Sequence, residues 1–342
     1  MTILPRVKLH ASLRHPALRS SFLEPKIHSS QLVWPVFLTS RSEDRSIGGC
    51  FDYPNQQWGK SSGYSSLIEE CVSLYDMGLR HVMLFGVVDS KDDRGTFADS
   101  SDGSPVLEGL EALRSDSRLN GMSIFADVCL CEYTDHGHCG LIDKSGSIDN
   151  TSSVSRLAEI AVHYAKAGAD VVCPSDMMDS RVGAIRDKLD ASNNFHVQIL
   201  AYTSKKASVM YAPFRHAVES NFKGSRDTYQ HPIGAARLAM RALERDLQEG
   251  ADMVLVKPAL FYTDIIQSYS KSANVPIAAY IVSGEYKMLN DYAGNKDGQL
   301  LSQVAREAHI SLARAGANVL ISYFTPWILR NRLLDKWNEG SW

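Results

Sequence analysis

The chain has 342 residues, of which 44% are hydrophobic and 22% charged, as in an ordinary globular protein. Its net charge of −3 argues against nucleic acid as the main partner, because phosphate binding needs a basic face. No apolar run approaches the roughly 18 residues of a membrane span, and six cysteines in so long a chain argue against a disulfide scaffold. We therefore expect a soluble protein of a reducing compartment, the cytoplasm, with no nucleic-acid or membrane partner.

The first thirty residues form a basic segment. Residues 1–30 contain five Lys or Arg and one Glu, a local charge of +4. Organelle transit peptides share this bias, but Pro5, Pro16 and Pro25 would interrupt the amphipathic helix of such a leader. We predict an extended N-terminal oligomerisation arm over 1–30, with a cleaved leader as the alternative, and one catalytic domain over 31–342.

Eight short apolar or β-branched runs recur along the chain, and each is followed by a segment with helical spacing. Continuous apolar runs are typical of parallel strands that are covered on both faces. The runs are Val33–Leu38, Val82–Val87, Ile124–Leu130, Val171–Pro174, Val197–Tyr202, Met253–Val256, Ile277–Val282 and Val319–Phe324.

A glycine precedes several of these runs in a repeated pattern. Ala167–Val171, Glu249–Met253 and Ala315–Val319 all have glycine at their second position. Glycine readily adopts the left-handed geometry that ends many helices, so the pattern indicates a helix stop followed by a strand. Eight such units predict a (β/α)₈ TIM barrel, which needs about 250 residues. A doubly wound open sheet is the alternative, although no GxGxxG follows the first run.

Lysines follow two neighbouring runs, at the strand ends where barrel enzymes carry their active sites. Burial would lower the pKa of Lys257 and supply the neutral amine that attacks a carbonyl. The alternative is an outward orientation or a pair with Asp264. Of Lys205 and Lys206, alternation along the chain predicts that only one enters the barrel mouth. The other should be solvated and should lower the pKa of its neighbour.

Three cysteines follow the third run. Cys129 and Cys131, at i and i+2, would share one strand face, and glycines in the next loop allow Cys139 to return to them. Three thiolates without an obvious fourth protein ligand predict an open, catalytic zinc site. The alternative is three buried, inert cysteines. His136 and His138 could be ligands, but loop hydrogen bonding is the commoner role at such spacing.

Further polar groups stand at the same predicted end of the barrel. Arg215 and Arg226 lie in the long segment after the fifth run, where a lid could bind a carboxylate bidentately. Solvation at the surface is the commoner fate of arginine. Ser283 and Tyr323 come at the ends of the seventh and eighth runs, where their hydroxyls could receive a second carboxylate.

The stretch 127–140, DVCLCEYTDHGHCG, resembles the zinc segment of the porphobilinogen synthase family, also called the 5-aminolevulinate dehydratase family. Further matches occur in the family's order and extend from His15 to the C-terminus. They are the segments 165–169, 174–179, 211–215, 256–258, 282–286 and 323–326. The resemblance thus spans nearly the whole chain.

This resemblance implies that two 5-aminolevulinate molecules bind one site and condense to porphobilinogen, in haem and other tetrapyrrole synthesis. Lys257 and Lys205 would each form a Schiff base with one substrate. The zinc ligands would be Cys129, Cys131 and Cys139. The substrate-binding positions would be Arg215, Arg226 and Gln230 for one carboxylate, Ser283 and Tyr323 for the other, and Asp127 and Ser175 in the pocket. The N-terminal segment resembles an arm that wraps a neighbouring subunit, usually in a homo-octamer.

Five positions depart from the family's pattern. Lys206 stands where an aromatic residue is expected, Ser180 where glycine is usual, and Ile281 where histidine is frequent. His216 replaces an acid, and Gln57 replaces an arginine. None of these changes removes a proposed catalytic group, so an active zinc-dependent lyase is the main hypothesis. The alternatives are a non-catalytic paralogue that acts as an oligomeric or regulatory subunit, and another Schiff-base lyase or aldolase.

Overall fold

A closed parallel barrel forms the centre of the computed structural model, which describes residue 10 and residues 13–294 and 298–339. Eight strands follow one another in chain order, and the first also pairs with the last, so the predicted TIM barrel is confirmed. A ninth, two-residue strand, β2, pairs with β1 outside the barrel. The strands are β1 Leu32–Thr39, β2 Gln57–Trp58, β3 His81–Val87, β4 Ser123–Val128, β5 Val171–Pro174, β6 Gln198–Lys205, β7 Met253–Lys257, β8 Ile277–Ile281 and β9 Val319–Ser322.

In the described parts of the chain, helices follow most of the barrel strands, one short helix precedes the first strand, and two follow the last. They are α1 Pro16–Ser20, α2 Ser65–Asp76, α3 Pro105–Ser115, α4 Asn150–Ala167, α5 Arg181–Ala191, α6 Ala212–Ala217, α7 Ala236–Gln248, α8 Thr263–Ser272, α9 Ser283–Ala293, α10 Gly298–Ala315, α11 Thr325–Arg330 and α12 Leu333–Asn338. Within the described ranges, no helix combines the length and the apolarity needed to cross a membrane. Much of the predicted arm, residues 1–9, 11 and 12, lies outside the described residues.

The repeated glycine pattern has a structural basis at the N-terminal end of the barrel. Gly168 ends α4 in the left-handed region, with a φ of 110°. The acid or amide two residues after each glycine then accepts a hydrogen bond from the backbone N–H that begins a neighbouring strand. The three bonds run from Ile124 to Asp170 (2.7 Å), from Ile199 to Asp252 (2.8 Å) and from Ile277 to Asn318 (2.9 Å). The repeat therefore sets strand register as well as helix ends.

All eight predicted runs lie on barrel strands, but three of them end two or three residues from the predicted position. The third run was extended to Leu130, whereas β4 ends at Val128 because the chain turns there: the Leu130 carbonyl accepts from the N–H groups of Tyr133 and Thr134. The eighth run was extended to Phe324, whereas β9 ends at Ser322. Conversely, β6 continues three residues beyond Tyr202, because Ser204 and Lys205 pair with β7 after a register shift. All three differences lie at the end of the barrel that carries the candidate site.

Candidate active site

Two buried lysines stand side by side at the C-terminal ends of β6 and β7. Lys205 and Lys257 are register partners across the two strands, and they are only 4% and 6% exposed. The Lys205 ammonium donates a hydrogen bond to the Ser175 carbonyl. The Lys257 Nζ lies over aromatic rings, 4.3 Å from the centre of Tyr280, and forms no ion pair with Asp264 among the described residues. The inward orientation predicted for Lys257 is therefore confirmed.

The two amines differ in how readily they lose a proton. Burial, together with the adjacent charge of Lys205, lowers the pKa of Lys257 to about 8. Burial also opposes the charge of Lys205, but the sulfurs of Cys139, Cys129 and Cys131 outweigh it and raise the pKa of this lysine. Lys257 is therefore the better source of a neutral amine near pH 7.

The structure contradicts two expectations for Lys206. We expected it to be solvated, yet it is fully buried, because the chain returns beside it and His231 forms a parallel bridge with it. Its ammonium donates to the Ala235 carbonyl at 3.0 Å. It was also expected to lower the pKa of Lys205, which is instead raised. The prediction that only one lysine of this pair enters the mouth is confirmed, since Lys205 lines the cavity.

Three cysteine sulfurs cluster after β4. The sulfurs of Cys129, Cys131 and Cys139 all lie within 4.8 Å of one another, and the first two are 3.4 Å apart. The reasoning from a shared strand face was wrong, because these residues follow β4 and the turn at Leu130 brings them together. The predicted proximity of the three cysteines is nevertheless present. All three are buried.

The donor set fits a zinc ion. Three thiolates at about 2.3 Å from a tetrahedral zinc lie about 3.8 Å apart, close to the sulfur separations found here. Hydrogen bonds from Cys129 and Cys131, with help from nearby Arg226 and Lys205, hold the pKa of the Cys139 thiol below its usual value. Burial raises the pKa of the Cys129 thiol; for Cys131 the bond with Cys129 acts to lower the pKa, but the bond with Cys139 and burial outweigh it and raise the pKa as well. Thiolates are the form that binds metal, so a bound cation would have to stabilise the charged form of these two cysteines.

The two neighbouring histidines form hydrogen bonds within the loop. The Nδ1 atom of His138 lies 3.1 Å from the Tyr229 hydroxyl, and the backbone N–H of His138 donates to Nδ1 of His136 at 3.1 Å. Within the described residues, the group able to hold a metal contains the three cysteines and neither histidine. The two histidines therefore form hydrogen bonds in the loop, the commoner of the two roles predicted from the sequence.

Acidic side chains share this buried environment. Ser175 donates its hydroxyl to Oδ2 of Asp127 at 2.9 Å, while Oδ1 of Asp127 has no hydrogen-bond partner in the described structure. Burial raises the pKa of Asp127 to about 6, against the opposing effect of Lys257 and Lys205. Asp127 is thus mostly ionised at pH 7.

The segment 207–234, between β6 and α7, lies over these groups. It contains α6 with Arg215, and a loop with Arg226 and Gln230. Arg226 is 7% exposed and donates to the Gly137 carbonyl at 2.7 Å. The Nε atoms of Arg215 and Arg226 and the Nε2 atom of Gln230 have no partner among the described residues. The surface alternative is wrong for Arg226, and all three side chains retain unused donors.

Ser283 and Tyr323 are also buried, but both already have partners. The Ser283 hydroxyl accepts from the backbone N–H of Phe214 at 2.9 Å, which attaches α6 to α9. The Tyr323 hydroxyl lies 3.0 Å from that of Tyr280, whose ring is next to Lys257. Neither residue lines the cavity that contains the lysines.

That cavity is small, with a volume of about 20 Å³. Such a space holds about one water molecule, so the lining has to rearrange before a larger molecule can enter. Glu132, Tyr211 and Phe214 line it as well, although sequence reasoning gave them no role. A signal existed for Glu132, which lies inside the cysteine motif. The lining residues are Phe85, Asp127, Cys131, Glu132, Ser175, Lys205, Tyr211, Phe214, Arg215, Val218, Ser220, Arg226 and Lys257.

Comparison with known proteins identifies the family of the chain. The family model described as delta-aminolevulinic acid dehydratase matches residues 6–331. The chain belongs to the delta-aminolevulinic acid dehydratase family. The resemblance drawn from the sequence is confirmed, and membership of this family makes the chain a lyase.

Relatives from distant organisms match over almost the full length. The delta-aminolevulinic acid dehydratase of Dictyostelium discoideum is 42% identical over 330 residues, which cover 94% of this chain and 95% of the relative. That of Bos taurus is 41% identical over 337 residues, covering 95% and 98%. A crystal structure of the Toxoplasma gondii enzyme, in complex with the reaction product porphobilinogen, has a TM-score of 0.89 at 33% identity and covers 95% of this chain and 91% of that one.

The departures from the family's pattern fall outside the catalytic candidates. Gln57 is buried and donates to the Ala217 carbonyl at 2.8 Å, so it attaches β2 to the end of α6. Ile281 is buried at the end of β8, and His216 is exposed on α6. Ser180 has a φ of 65°, in the left-handed region that glycine tolerates best. For Ser180 the family preference therefore has a direct conformational reason.

Proposed function

We propose that the chain condenses two 5-aminolevulinate molecules into porphobilinogen, with one Schiff base on Lys257 and another on Lys205. The observation that carries the proposal is the pairing of these two amines in register, beside the cysteine cluster and in one buried cavity. Family membership supports the reaction. The two amines and the sulfur cluster support the two-lysine chemistry.

Lys257 would begin the chemistry because its pKa of about 8 leaves part of the population neutral at pH 7. Its amine would attack the ketone carbon of one substrate, and the carbonyl oxygen would leave as water. The resulting iminium draws electrons from the adjacent C–H bond, which makes the proton removable. Asp127 would accept that proton, since it is mostly ionised and has one oxygen without a partner. The carbanion could then form the new C–C bond.

The cysteine cluster would hold zinc, with its fourth position open to the second substrate. Bound there, zinc would supply a Lewis acid for that substrate's amine. Lys205 lies close enough to the sulfurs for their negative charge to outweigh burial and raise its pKa. With zinc held by the sulfurs, that charge would be offset and the amine would lose its proton more readily. This proximity supports a second imine formed next to the cluster. Holding both substrates in fixed orientations also removes much of the entropic barrier to their encounter.

The carboxylates of the substrates would be bound by groups around the cavity. Arg215, Arg226 and Gln230 would bind one of them, because all three have unused donors. For the other carboxylate, Ser283 and Tyr323 would provide hydroxyl groups. Their current partners, the Phe214 backbone and the Tyr280 hydroxyl, would then share or release those hydrogen bonds.

We also propose that the N-terminal segment contacts another copy of the chain. Leu13, Leu18 and Phe22 are each about half exposed or more, at 49%, 53% and 59%. Exposed apolar side chains along one segment are typical of an interface. This supports the homo-octamer expected from the sequence, and the molar mass of the purified protein from light scattering tests it. A monomer at micromolar concentration would contradict it.

Borohydride trapping tests the proposed reaction directly. With 5-aminolevulinate, reduction should attach substrate carbon to Lys257, and peptide mass spectrometry should locate it. Pyrrole formation should be measured in the same preparation, with and without added zinc. Trapping that occurs only with another carbonyl compound would indicate a different lyase. Absence of both trapping and pyrrole would indicate a non-catalytic paralogue.

A further inference from the structure

Lys206 lies at the base of the segment 207–234, where the chain leaves β6 and returns towards α7. Two backbone hydrogen bonds close this base. The N–H of Ala207 donates to the His231 carbonyl at 2.9 Å, and the N–H of His231 donates to the Lys205 carbonyl at 3.0 Å. The segment therefore starts and ends on the strand that carries the second candidate amine.

The Lys206 side chain adds a third bond across the same base. Its ammonium donates to the carbonyl of Ala235, directly before α7, at 3.0 Å. Among the described residues, that carbonyl has one other donor, the distant N–H of Ala239 at 3.4 Å. A hydrogen bond from a charged group stabilises more than a neutral one. Lys206 therefore adds a charged side-chain bond to the two backbone bonds at this base.

The surroundings of Lys206 hold it in place. Its Nζ lies 5.5 Å from the centre of the Tyr262 ring, and burial lowers its pKa while the negative charge of Asp264 opposes that effect. The backbone N–H of Lys206 donates to the Lys257 carbonyl at 2.9 Å, and its own carbonyl lies 2.8 Å from the Tyr211 hydroxyl. One residue thus connects β7, α7 and the segment 207–234.

Lys206 does not line the cavity, whereas Lys205, Arg215 and Arg226 do. It therefore acts on the site through the segment rather than through contact with the substrate. We propose that Lys206 is a positioning residue that clamps the base of the segment 207–234 and so sets the affinity for the substrate carboxylate that this segment binds. This inference rests on the proposed function. It also gives a role to a lysine where the family pattern has an aromatic residue.

The test compares Lys206→Met with the unchanged full-length protein. Methionine keeps the length of the side chain and removes the donor. We expect KM for 5-aminolevulinate to rise about 10-fold, the equivalent of one lost charged hydrogen bond, while kcat changes by less than about 3-fold. Lys188→Met is the matched control, because Lys188 makes only an exposed ion pair with Glu159 and should leave both constants unchanged.

Hydrogen exchange, measured without substrate, gives a second and independent readout. In Lys206→Met, the amides of Ala207 and His231 should exchange faster, while those of β3 and β4 keep the rates of the unchanged protein. Should the methionine variant fail to fold, Lys206→Gln, which keeps a shorter donor, should show the same changes at smaller size. The exchange comparison tests the clamp even if the unchanged protein makes no porphobilinogen, which would reject only the proposed function.

Two results would overturn the inference. One is unchanged KM together with unchanged exchange at the base of the segment. The other is a fall in kcat with KM unchanged, which would mean that Lys206 acts on the chemistry at Lys205 instead of on the segment.

Discussion

The side chains of the candidate site come from two regions, which are attached to the rest of the protein in different ways. The amines of Lys205 and Lys257 stand on paired strands whose backbones are bonded within the barrel. Arg215, Arg226 and Gln230 belong to the segment 207–234, which is attached at its base and by side-chain bonds to several other parts of the chain, such as Gln57 with Ala217 and Phe214 with Ser283. The paired strands β6 and β7, together with the cysteine cluster, form the floor of the site. Their fixed geometry suits bond formation, because the reacting atoms must be held in constant positions. The segment 207–234 forms a cover over this floor, and the cavity beneath it has to enlarge before a substrate can bind.

The largest effect should come from the floor. We expect Lys257→Ala to lower kcat by about 1,000-fold or more, because no other neutral amine replaces the proposed nucleophile. Lys188→Ala, on the exposed surface, should retain full activity. Steady-state pyrrole assays at saturating substrate measure both. Activity retained in the Lys257 variant would assign the nucleophile elsewhere.

The sulfur cluster belongs to the same floor and is the next prediction. A chelator should inactivate the protein, and zinc should restore it. We expect Cys131→Ala to lose bound zinc, as measured by elemental analysis, with a fall in activity of about 100-fold. Cys71→Ala is the matched control, because Cys71 is equally buried but lies on α2. Full activity in a metal-free preparation would contradict the zinc proposal.

The coupling between the two strand lysines predicts a pH dependence. Only a neutral amine attacks a carbonyl, and the pKa of Lys257 is lowered to about 8. Trapping at Lys257 should therefore rise about 10-fold per pH unit below pH 8 and level off above it. Because the charge of Lys205 helps to lower that pKa, Lys205→Met should move the midpoint to higher pH. A midpoint unaffected by this change would mean that the two amines are not electrostatically coupled.

The cover should affect binding more than chemistry. Arg226→Lys keeps a positive charge but loses the planar donor pair, so we expect KM to rise about 10-fold with a smaller change in kcat. Arg118→Lys is a suitable control, because Arg118 is exposed and pairs with Glu69 and Asp116, outside both the cavity and the segment 207–234. Initial-rate measurements separate the two constants. A loss confined to kcat would place Arg226 with the floor rather than the cover.

The floor could be derived from the sequence far better than the cover. Apolar runs and the glycine repeat located every barrel strand, and the positions of Lys205 and Lys257 then followed from the strand ends. The proximity of the three cysteines was predicted as well, although from a shared strand face that the structure does not contain. The burial of Lys206 could not be derived, because it depends on the return of the chain at His231 and on Tyr262, which are distant in sequence. The contact of Phe214 with Ser283 is likewise long-range. Local patterns report which face a residue occupies, but they carry no information on what packs against it.

The smallest predicted effect concerns the stability of the protein, through Ser180 at the start of α5. Ser180, exposed at the start of α5, has φ 65° and ψ 15°, and its side chain makes no capping hydrogen bond. In this geometry a residue with a side chain lowers the free energy of unfolding by about 1–2 kcal/mol. Glycine removes that strain, but it lowers the free energy of unfolding by about 0.4–1 kcal/mol because it increases the entropy of the unfolded chain. We therefore expect Ser180→Gly to raise the free energy of unfolding by about 0.5–1 kcal/mol, which is about 1–3 °C in Tm.

Ser180→Ala separates conformational strain from the loss of the hydroxyl, because alanine keeps the strain and removes only a group without a capping role. It should unfold at the temperature of the unchanged protein, and calorimetry of all three proteins makes the comparison. Since Ser180 lies outside the cavity, kcat and KM should stay constant in both variants. If alanine stabilised as much as glycine, strain would not be the cause. If Ser180→Gly altered KM, a change outside the cavity would affect substrate binding. The floor and the cover would then not act independently.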